Sequence, residues 1–426
     1  FADNSSEDAD DQMIKCGSWT ETAGTVDIDL GWEPQFILHK PSSAAGNWVI
    51  FDSMRGLHPI DETDAGLTPN TSDAEANINL LGITATGFKA QTYDGVGVEH
   101  IYMAIRAPMM IEPEAATDVF APVNYTGDDQ MPDNITGFGF SPNMLIFSRR
   151  DATFNHRIFD RLRGFSNGDL ITDDTAAENS TGDQILQGPT IMDGFRIAPS
   201  GTNYLNTTGV LYHSLGWKRA KGYMDVVCYS GNGTAGRTVP HSLSVIPEMI
   251  WFKSRNNAYN WYVYHKDTGI DKRLVLDGND GTATGYGTLV FNNTQPSSSV
   301  ITLGSWGVIN GSGNNNIAYL FATLAGISKV GSYTGNGSNQ TIACGFSAGS
   351  RYILIKRTDV TGDWFFWDSA RGIVAGNDPH LSLNTTAAQV TTDDSVDPAN
   401  AGFIVNQVSA TNINVSSATY IFYAIA

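Results

Sequence analysis

The chain has 426 residues, and 44 acidic against 25 basic side chains give it a formal net charge of −19. That charge repels phosphate backbones and anionic lipid surfaces, which disfavours nucleic acid as a direct partner. The sequence contains no run of about 18 apolar residues, so we expect no membrane insertion. Only 16% of the residues are charged while 44 are glycine, a balance typical of short strands joined by tight turns.

Four strand-like runs recur at nearly constant spacing and define an internal repeat. Their first residues are Pro34, Pro142, Pro247 and Ser350. A ring-bearing side chain stands fourteen positions after each start, at Trp48, His156, Trp261 and Trp364. The starts lie 108, 105 and 103 residues apart, so four units account for nearly the whole chain.

Short apolar runs and period-two alternation dominate every unit, and no stretch keeps a helical apolar stripe over about 11 residues. The sequence therefore predicts an all-β protein. Units of about 100 residues fit two antiparallel sheets packed face to face. We expect four tandem antiparallel β-sandwich domains, called repeats 1 to 4, at residues 1–112, 113–222, 223–326 and 327–426. The joints are short, which predicts that the repeats pack end to end.

An aromatic residue leads into a glycine-containing turn near the start of three repeats, at 125–128, 229–233 and 333–337. The Asn-Gly pair in the last two favours a two-residue hairpin turn, because glycine adopts positive φ angles without strain. Repeat 1 has the sequence WTET at 19–22 instead, so the conformation of its turn stays open.

The phrase aromatic-Asp-x-x-Arg-Gly occurs at 51–56, 159–164 and 367–372. It is either a catalytic carboxylate beside an electrophilic arginine or a structural ion pair at a strand end. Repeat 3 has His265 at the Asp position and Thr268 at the Arg position, so both partners are lost together. Joint loss favours the ion pair, because either charge is costly to bury alone. The alternative is that the three carboxylates line a groove: Asp52, Asp160 and Asp368.

We predict no catalytic, cofactor-binding or metal-ligating residue and assign no ligand-binding residue. Acidic residues form no recurring pair, and the eight histidines are scattered. The loop 277–285 looks like a calcium-binding segment but lacks EF-hand spacing, so we expect a surface turn, with calcium as the alternative. The recurring tryptophans are predicted to pack in cores. The cysteines are predicted to be buried free thiols: Cys16, Cys228 and Cys344.

Three segments resemble a repeat module of predicted tail-fibre and other virion proteins of bacteriophages, marine phages especially. They lie at 229–266, at 314–338, and at 352–372, the last reading YILIKRTDVTGDWFFWDSARG. The resemblance extends over 225–426 and, in weaker form, over 14–222. These modules are similar to concanavalin-like or jelly-roll sandwiches, which implies that fold for each repeat. The resemblance also implies a location at the virion exterior, and it brings no catalytic residue to this sequence.

We therefore expect a non-enzymatic virion protein, a tail fibre or related appendage that takes part in host attachment. Its expected partners are further copies of itself, with a trimer among the options, other virion proteins, and a glycan or protein of the host surface. Two alternatives are structural, a capsid-decorating protein and a subunit of an extracellular filament. Two others are a glycan-binding lectin and a polysaccharide depolymerase built on one sandwich.

Overall fold

The computed structural model describes residues 13–53, 55–57, 64–107, 110–130, 133–164, 168–179, 186–187, 191–197 and 205–426. Antiparallel strands make up nearly all of its regular structure, which confirms the all-β fold class. The described residues form two compact units. The first contains the residues up to Met110 with the segments 162–164 and 227–229, and the second contains the rest. No helix within the described ranges is long and apolar enough to cross a membrane.

Repeat 1 makes up most of the first unit. Its described strands are β1 (Ile14–Thr20), β2 (Thr25–Asp29), β3 (Pro34–Pro41), β4 (Val49–Asp52), β5 (Asp64–Gly66), β6 (Ala76–Ile78), β7 (Leu81–Thr84), β8 (Gly87–Gln91) and β9 (Glu99–Arg106). The main sheet has the order β1–β9–β3–β4, the second sheet has the order β2–β8–β7, and β5 pairs with β6. Trp19 of the main sheet meets Phe88 of the second sheet edge to face, with ring centroids 5.7 Å apart.

Repeat 2 begins with a 3-10 turn at Ala116–Asp118. Its described strands are β10 (Phe120–Thr126), β11 (Asp133–Ile135), β12 (Met144–Arg149), β13 (Arg157–Asp160), β14 (Leu170–Ile171), β15 (Leu186–Gln187), β16 (Phe195–Ile197) and β17 (Leu211–Trp217). The main sheet has the order β10–β17–β12–β13–β14 and the second sheet β11–β16–β15. Phe147 packs edge to face on Phe159 and on Phe195, at 5.5 and 5.0 Å, and so joins the two sheets.

Repeat 3 departs most from the common pattern because it contains two short helices. Its elements are β18 (Met224–Ser230), β19 (Arg237–Pro240), β20 (Met249–Ser254), β21 (Tyr262–His265), β22 (Lys272–Val275), β23 (Ala283–Thr284), α1 (Gly287–Phe291), β24 (Val300–Leu303), α2 (Gly307–Asn310) and β25 (Asn315–Phe321). The main sheet has the order β18–β25–β20–β21–β22–β23, and β19 pairs with β24. In chain order α1 stands where repeat 2 has β15, and Phe291 of α1 packs on Phe252 and Tyr264.

Repeat 4 ends the chain. Its described strands are β26 (Ser328–Thr334), β27 (Gln340–Ala343), β28 (Tyr352–Arg357), β29 (Trp364–Asp368), β30 (Leu381–Ser382), β31 (Val396–Ala399), β32 (Gly402–Val405) and β33 (Thr419–Ile425). The main sheet has the order β26–β33–β28–β29–β30 and the second sheet β27–β32–β31.

The same connectivity recurs in all four repeats. In every main sheet the last strand of the repeat lies between the first and the third strands, and the fourth strand lies beside the third. The sequence repeat therefore has a structural counterpart. The two compact units separate near the first predicted boundary, at Met110, whereas repeats 2, 3 and 4 lie mainly in the second unit. The division into four domains stays a prediction.

Both faces of the main sheet of repeat 4 are buried. Alternate side chains of a strand point to opposite faces. Ile353 of β28 and Phe422 of β33 face the second sheet and pack in the sandwich core with Phe403. Their neighbours Tyr352 and Tyr423 lie on the opposite face and are at most 1% exposed. The second sheet covers only the first of these faces, so the opposite face has another cover.

A buried asparagine fixes the turn after the first strand in repeats 2, 3 and 4. Each side-chain oxygen accepts a backbone N–H from 78 positions earlier, at 3.0 to 3.2 Å, and the asparagines are Asn206, Asn310 and Asn414. The predicted positive φ is confirmed at Gly233 and Gly337, with φ of 72° and 78°. The predicted hairpin is wrong, because the strands on either side of the turn belong to different sheets.

Glycine is required one position before the residue whose N–H binds the buried asparagine, because the chain passes very close to a backbone carbonyl there. A Cβ added at Gly127, Gly231 or Gly335 would lie 2.1 to 2.2 Å from a backbone oxygen. Gly335→Ala should therefore lower the free energy of unfolding by roughly 3 kcal/mol, the cost of forcing apart a packed backbone. Gly307→Ala is the matched control, because nothing lies within 4 Å of its added Cβ. Calorimetry should show a clearly lower melting temperature for the first variant only, and equal effects of both would contradict the steric argument.

Candidate functional site

Strand register aligns the four repeats position by position. In each repeat, the first residue of the third strand's pairing segment lies opposite the Asp position of the repeated phrase. These pairs are Phe36 with Asp52, Met144 with Asp160, Met249 with His265, and Tyr352 with Asp368. Equivalent residues below are those that this register superimposes.

In repeats 1 and 4 the Asp and Arg of the phrase bind each other. Nε of Arg55 donates to Oδ2 of Asp52 at 2.6 Å, and Nε of Arg371 donates to Oδ2 of Asp368 at 2.5 Å. The other carboxylate oxygen accepts the backbone N–H of the same arginine, at 2.9 and 3.0 Å. Each guanidinium also donates to a carbonyl of its own strand, at 3.1 and 2.9 Å. These contacts confirm the predicted ion pair in the two repeats.

In repeats 2 and 3 two other contacts are seen at this position. In repeat 3, Oγ1 of Thr268 donates to the carbonyl of His265 at 2.9 Å, so a hydrogen bond within the turn replaces the ion pair. In repeat 2, Asp160 and Arg163 are both fully buried. Oδ2 of Asp160 accepts a hydrogen bond of 2.7 Å from the hydroxyl of Tyr319, which belongs to repeat 3. The Asp position therefore faces a neighbouring repeat.

The ion pair of repeat 4 contacts repeat 2. Nε2 of His213 lies 3.1 Å from Oδ2 of Asp368, and both side chains are fully buried. Asn124 of repeat 2 donates to the carbonyl of Ala370 at 2.7 Å. Burial alone would raise the pKa of Asp368, but Arg371, with His213 beside it, lowers that pKa well below its ordinary value. The carboxylate is therefore held ionised inside the contact between the two repeats.

A lysine of one repeat reaches into the preceding repeat at two junctions. Nζ of Lys253 donates to the carbonyl of Thr175 at 2.8 Å, and Nζ of Lys356 donates to the carbonyl of Asn279 at 2.8 Å. Both side chains are at most 1% exposed. Burial lowers the pKa of each lysine to about 8. The two lysines are equivalent, so the two junctions are built in the same way.

The recurring tryptophan crosses the same two junctions. Nε1 of Trp261 donates to the carbonyl of Ile171 at 2.7 Å, and Nε1 of Trp364 donates to the carbonyl of Val275 at 2.8 Å. Both rings are buried, as predicted for packing residues. They pack between repeats, however, and not within one sandwich core.

Repeat 2 binds repeat 4 at the equivalent edge, although His156 stands at the tryptophan position. The backbone N–H of Phe154 donates to the carbonyl of Thr386 at 2.9 Å, and Oγ1 of Thr172 donates to the carbonyl of Leu383 at 2.7 Å. Repeats 2, 3 and 4 each contact the other two, so their contacts close in a cycle. The predicted end-to-end packing is wrong for these repeats, because repeat 4 returns to repeat 2.

Aromatic side chains join the outer sheet faces of the three repeats. Trp217 of repeat 2 meets Tyr352 of repeat 4 edge to face at 5.6 Å, and Phe321 of repeat 3 meets Tyr423 of repeat 4 at 5.1 Å. All four are at most 1% exposed. These side chains lie on the face of each main sheet that points away from its own sandwich core. The neighbouring repeats therefore cover that face.

The equivalent face of repeat 1 is half-buried or exposed. It consists of Phe36, Leu38, Lys40, Trp48, Ile50, Ile101, Met103 and Ile105, which we call the repeat 1 face. Ile101 is 41% exposed, whereas its equivalents in the other repeats are at most 3% exposed. Positions between these residues, such as His39 and Tyr102, are buried in the sandwich core. Seven of the eight members are apolar, although the face is partly exposed to solvent.

Glu21, Asp94 and His100 form the cluster of metal-ligand types found among the described residues. Nε2 of His100 lies 3.1 Å from Glu21 and 3.5 Å from Asp94. The Glu21 carboxylate already accepts three backbone N–H groups at 2.7 to 3.2 Å, from residues 93 to 95. Glu21 stands where repeats 2 to 4 have their turn glycine. The cluster therefore fixes the turn that the sequence left open in repeat 1, and its hydrogen bonds leave it poorly suited to a cation.

The loop 277–285, predicted to be a surface turn with calcium as the alternative, lies at the junction of repeats 3 and 4. Its Asp277 accepts the backbone N–H of Trp261 at 2.8 Å and the side-chain amide of Asn260 at 2.9 Å. The carbonyl of Asn279 accepts a hydrogen bond from Nζ of Lys356, so a buried ammonium group already binds this loop. This geometry does not favour calcium, which was the alternative to a surface turn. The prediction of buried thiols is confirmed for Cys344 and is wrong for Cys16, which is exposed, whereas Cys228 is only partly buried.

Sequence reasoning found the ion pair but missed the contacts between repeats. The sequence patterns did not indicate the buried lysines and asparagines. One signal for the asparagines is their constant separation of 78 positions in the sequence from the turn residues that they bind. A second signal is the unbroken apolar run Met144–Phe147 in β12, and the structure buries all four of these residues. A sandwich strand with one solvent face should alternate, so an unbroken buried run indicates a cover on both faces.

The fold and these contacts define a protein of repeated antiparallel sandwiches, three of which seal one another's outer faces. The chain belongs to the family described as a domain of unknown function (DUF7483), whose model matches residues 13–108 and 115–426. The gap between the matched segments falls at the boundary between the two compact units. The comparison with curated proteins gives no match.

The buried ion pair of repeat 4 can be tested against its half-exposed counterpart. Asp368→Asn should lower the free energy of unfolding by about 3–5 kcal/mol, because it leaves Arg371 buried without its counter-charge. Asp52→Asn removes the same contact where the side chains are 22% and 23% exposed, so about 1 kcal/mol is expected. Chemical denaturation of both variants measures the difference. A loss for Asp52→Asn as large as that for Asp368→Asn would show that burial does not set the cost.

Acid should weaken the junction that contains His156. Burial lowers the pKa of this histidine to about 4, and the pKa of an ordinary histidine is 6.5. Between these values the unfolded chain binds more protons than the folded chain, so stability falls as the pH falls from 6.5 to 4. His156→Gln removes this contribution, which is on the order of 3 kcal/mol for a shift of that size.

The measurement is the free energy of unfolding at pH 7 and at pH 4.5 for the wild type and for His156→Gln. Both chains carry the same carboxylates, so the titrations of Asp and Glu cancel in the comparison. The wild type should lose more stability on acidification than the variant. An equal loss would mean that the ring of His156 titrates normally in the folded protein.

Proposed function

We propose that the protein is a non-enzymatic structural protein of a bacteriophage virion, a tail fibre or related appendage at the virion exterior that takes part in host attachment. The closed contact cycle of repeats 2, 3 and 4 carries this proposal. The charged and hydrogen-bonding side chains at the repeated positions make contacts inside that cycle, and examples are Asp368, Lys356 and Trp364. The resemblance of the sequence to phage fibre modules supports the location.

A closed cycle of sandwiches suits a part that must hold its shape outside a cell. Every junction combines apolar packing with hydrogen bonds to backbone carbonyls, so one repeat cannot leave without exposing buried polar groups of two others. Such a protein acts by presenting surfaces. Its partners in this proposal are copies of itself, other virion proteins and the host surface.

One surface feature favours glycan binding as the route to the host. An open groove of about 440 Å³ lies between repeats 3 and 4. Its lining includes Lys266, Asp267, Lys329, Gln340 and Tyr333. Polar side chains in an open groove can bind the hydroxyl groups of a sugar. A lectin-like role within the same virion protein is therefore the second candidate.

Immunogold labelling of purified particles of the encoding virus tests the location. Gold on tail appendages is the expected result, gold over the capsid would favour a decorating protein, and absence from purified particles would reject a virion role. Labelled protein should also bind host cells. A lectin role predicts that Gln340→Ala weakens binding more than Val360→Ala, a change at a position that is 47% exposed and outside the groove. Release of reducing sugars from host glycans would instead favour a depolymerase.

A further inference from the structure

Repeat 1 carries the contact face that repeats 2, 3 and 4 bury against one another, but it occurs once in each chain. We infer that three copies of the chain bring their repeat 1 faces together in a threefold cycle of the same kind. The inference builds on the proposed self-association and assigns a surface and a stoichiometry to it.

The internal cycle is complete with three sandwiches. Repeat 3 contacts repeat 2 through Lys253 and Trp261, repeat 4 contacts repeat 3 through Lys356 and Trp364, and repeat 2 contacts repeat 4 through Phe154. Each repeat therefore uses both edges of its contact face on the other two. The repeat 1 face has the same design, and it gains two equivalent partners when three copies of the chain meet.

The lysine of repeat 1 is already positioned for this contact. Nζ of Lys40 donates to the carbonyl of Gly46, six residues later, at 2.5 Å. Lys253 and Lys356 each make the same contact six residues later, to Tyr259 and Gly362. In repeats 3 and 4 the ammonium then donates to a second carbonyl, which belongs to the preceding repeat. Lys40 thus shows the local half of a two-part contact.

The acceptor for Lys40 can be named from the register. The backbone N–H of the tryptophan bonds Asn70 in repeat 1 and Asp277 in repeat 3, at 2.9 and 2.8 Å. In repeat 3 the carbonyl that receives the lysine of repeat 4 lies two residues after this acceptor, at Asn279. The equivalent carbonyl in repeat 1 is that of Ser72, which is exposed. Lys40 of one copy is therefore expected to bind Ser72 of the next copy.

The apolar members of the repeat 1 face match the aromatic contacts of the internal cycle. Phe36 is equivalent to Tyr352, Met103 to Tyr423, and Ile105 to Trp217 and Phe321. In the second unit these equivalents touch across repeat boundaries at ring distances of 5.1 and 5.6 Å. The positions of these aromatic contacts are thus apolar in repeat 1 as well. An apolar face of this extent favours association over exposure to water.

The first test is the mass of the full chain in solution. Analytical ultracentrifugation should give three times the 45.9 kDa of one chain. Met103→Lys places a charge at the centre of the proposed contact and should convert the trimer to monomer at the same concentration. Val96→Lys is the matched control, because Val96 is 67% exposed and lies outside the repeat 1 face. Near-ultraviolet circular dichroism checks that each variant is folded.

A cross-link tests the register. Lys40→Cys with Ser72→Cys, in a Cys16→Ser background, should be joined by a short bismaleimide into species that end at three chains, and Met103→Lys should abolish them. A bismaleimide is used because the reach of a lysine side chain exceeds the span of a disulfide. A monomeric wild type, a dimer, a trimer that survives Met103→Lys, or cross-links confined to one chain would each overturn the inference. The last result would place a part of the same chain on the repeat 1 face. A trimer that is absent from purified virions would leave this inference standing and reject the proposed function.

Discussion

The structure depends on the burial of both faces of each main sheet in repeats 2, 3 and 4. One face is covered by the repeat's own second sheet, and a single sandwich of this size has nothing left to cover the other. Tyr352 and Tyr423 are fully buried on that second face only because repeats 2 and 3 meet repeat 4 there. Hydrophobic burial thus forces association of the repeats, and polar groups at the junctions decide its geometry.

The polar groups follow one rule, which is that every charge in a junction has either a counter-charge or hydrogen-bond partners. Asp368 is buried with Arg371, and each buried lysine donates to two carbonyls. Repeat 3 shows the other way to obey the rule, because His265 and Thr268 carry no obligatory charge and close the turn with a hydrogen bond. Intermediate solutions, with one charged partner, would leave an unpaired ion in a dry contact. This explains why the repeated phrase changes at two positions together.

The fold class could be predicted from the sequence because glycine-rich turns and short apolar runs are local signals. The ion pair could be predicted because repeat 3 is an internal comparison with both partners replaced. The junctions could not, since the carbonyls that receive Lys356 and Trp364 carry no sequence signature. Short helices such as α1 could not be predicted either, because its five residues make fewer than two turns and show no helical period. The unbroken apolar run at the start of β12, Met144–Phe147, is a sequence signal that both faces of the strand are covered.

Covalent linkage explains why the junctions of the internal cycle differ from one another. Three repeats in one chain meet at high effective concentration and need not be identical, so each junction can use its own chemistry. His213 meets Asp368 at one junction, and Tyr319 meets Asp160 at another. A cycle made from three copies of one repeat has no such freedom, because the same pairs of residues meet at all three junctions. The repeat 1 face meets this condition: Ile101 and Met103 stand where the linked repeats have His213 and Tyr319, and Arg55 neutralises Asp52 within the same turn.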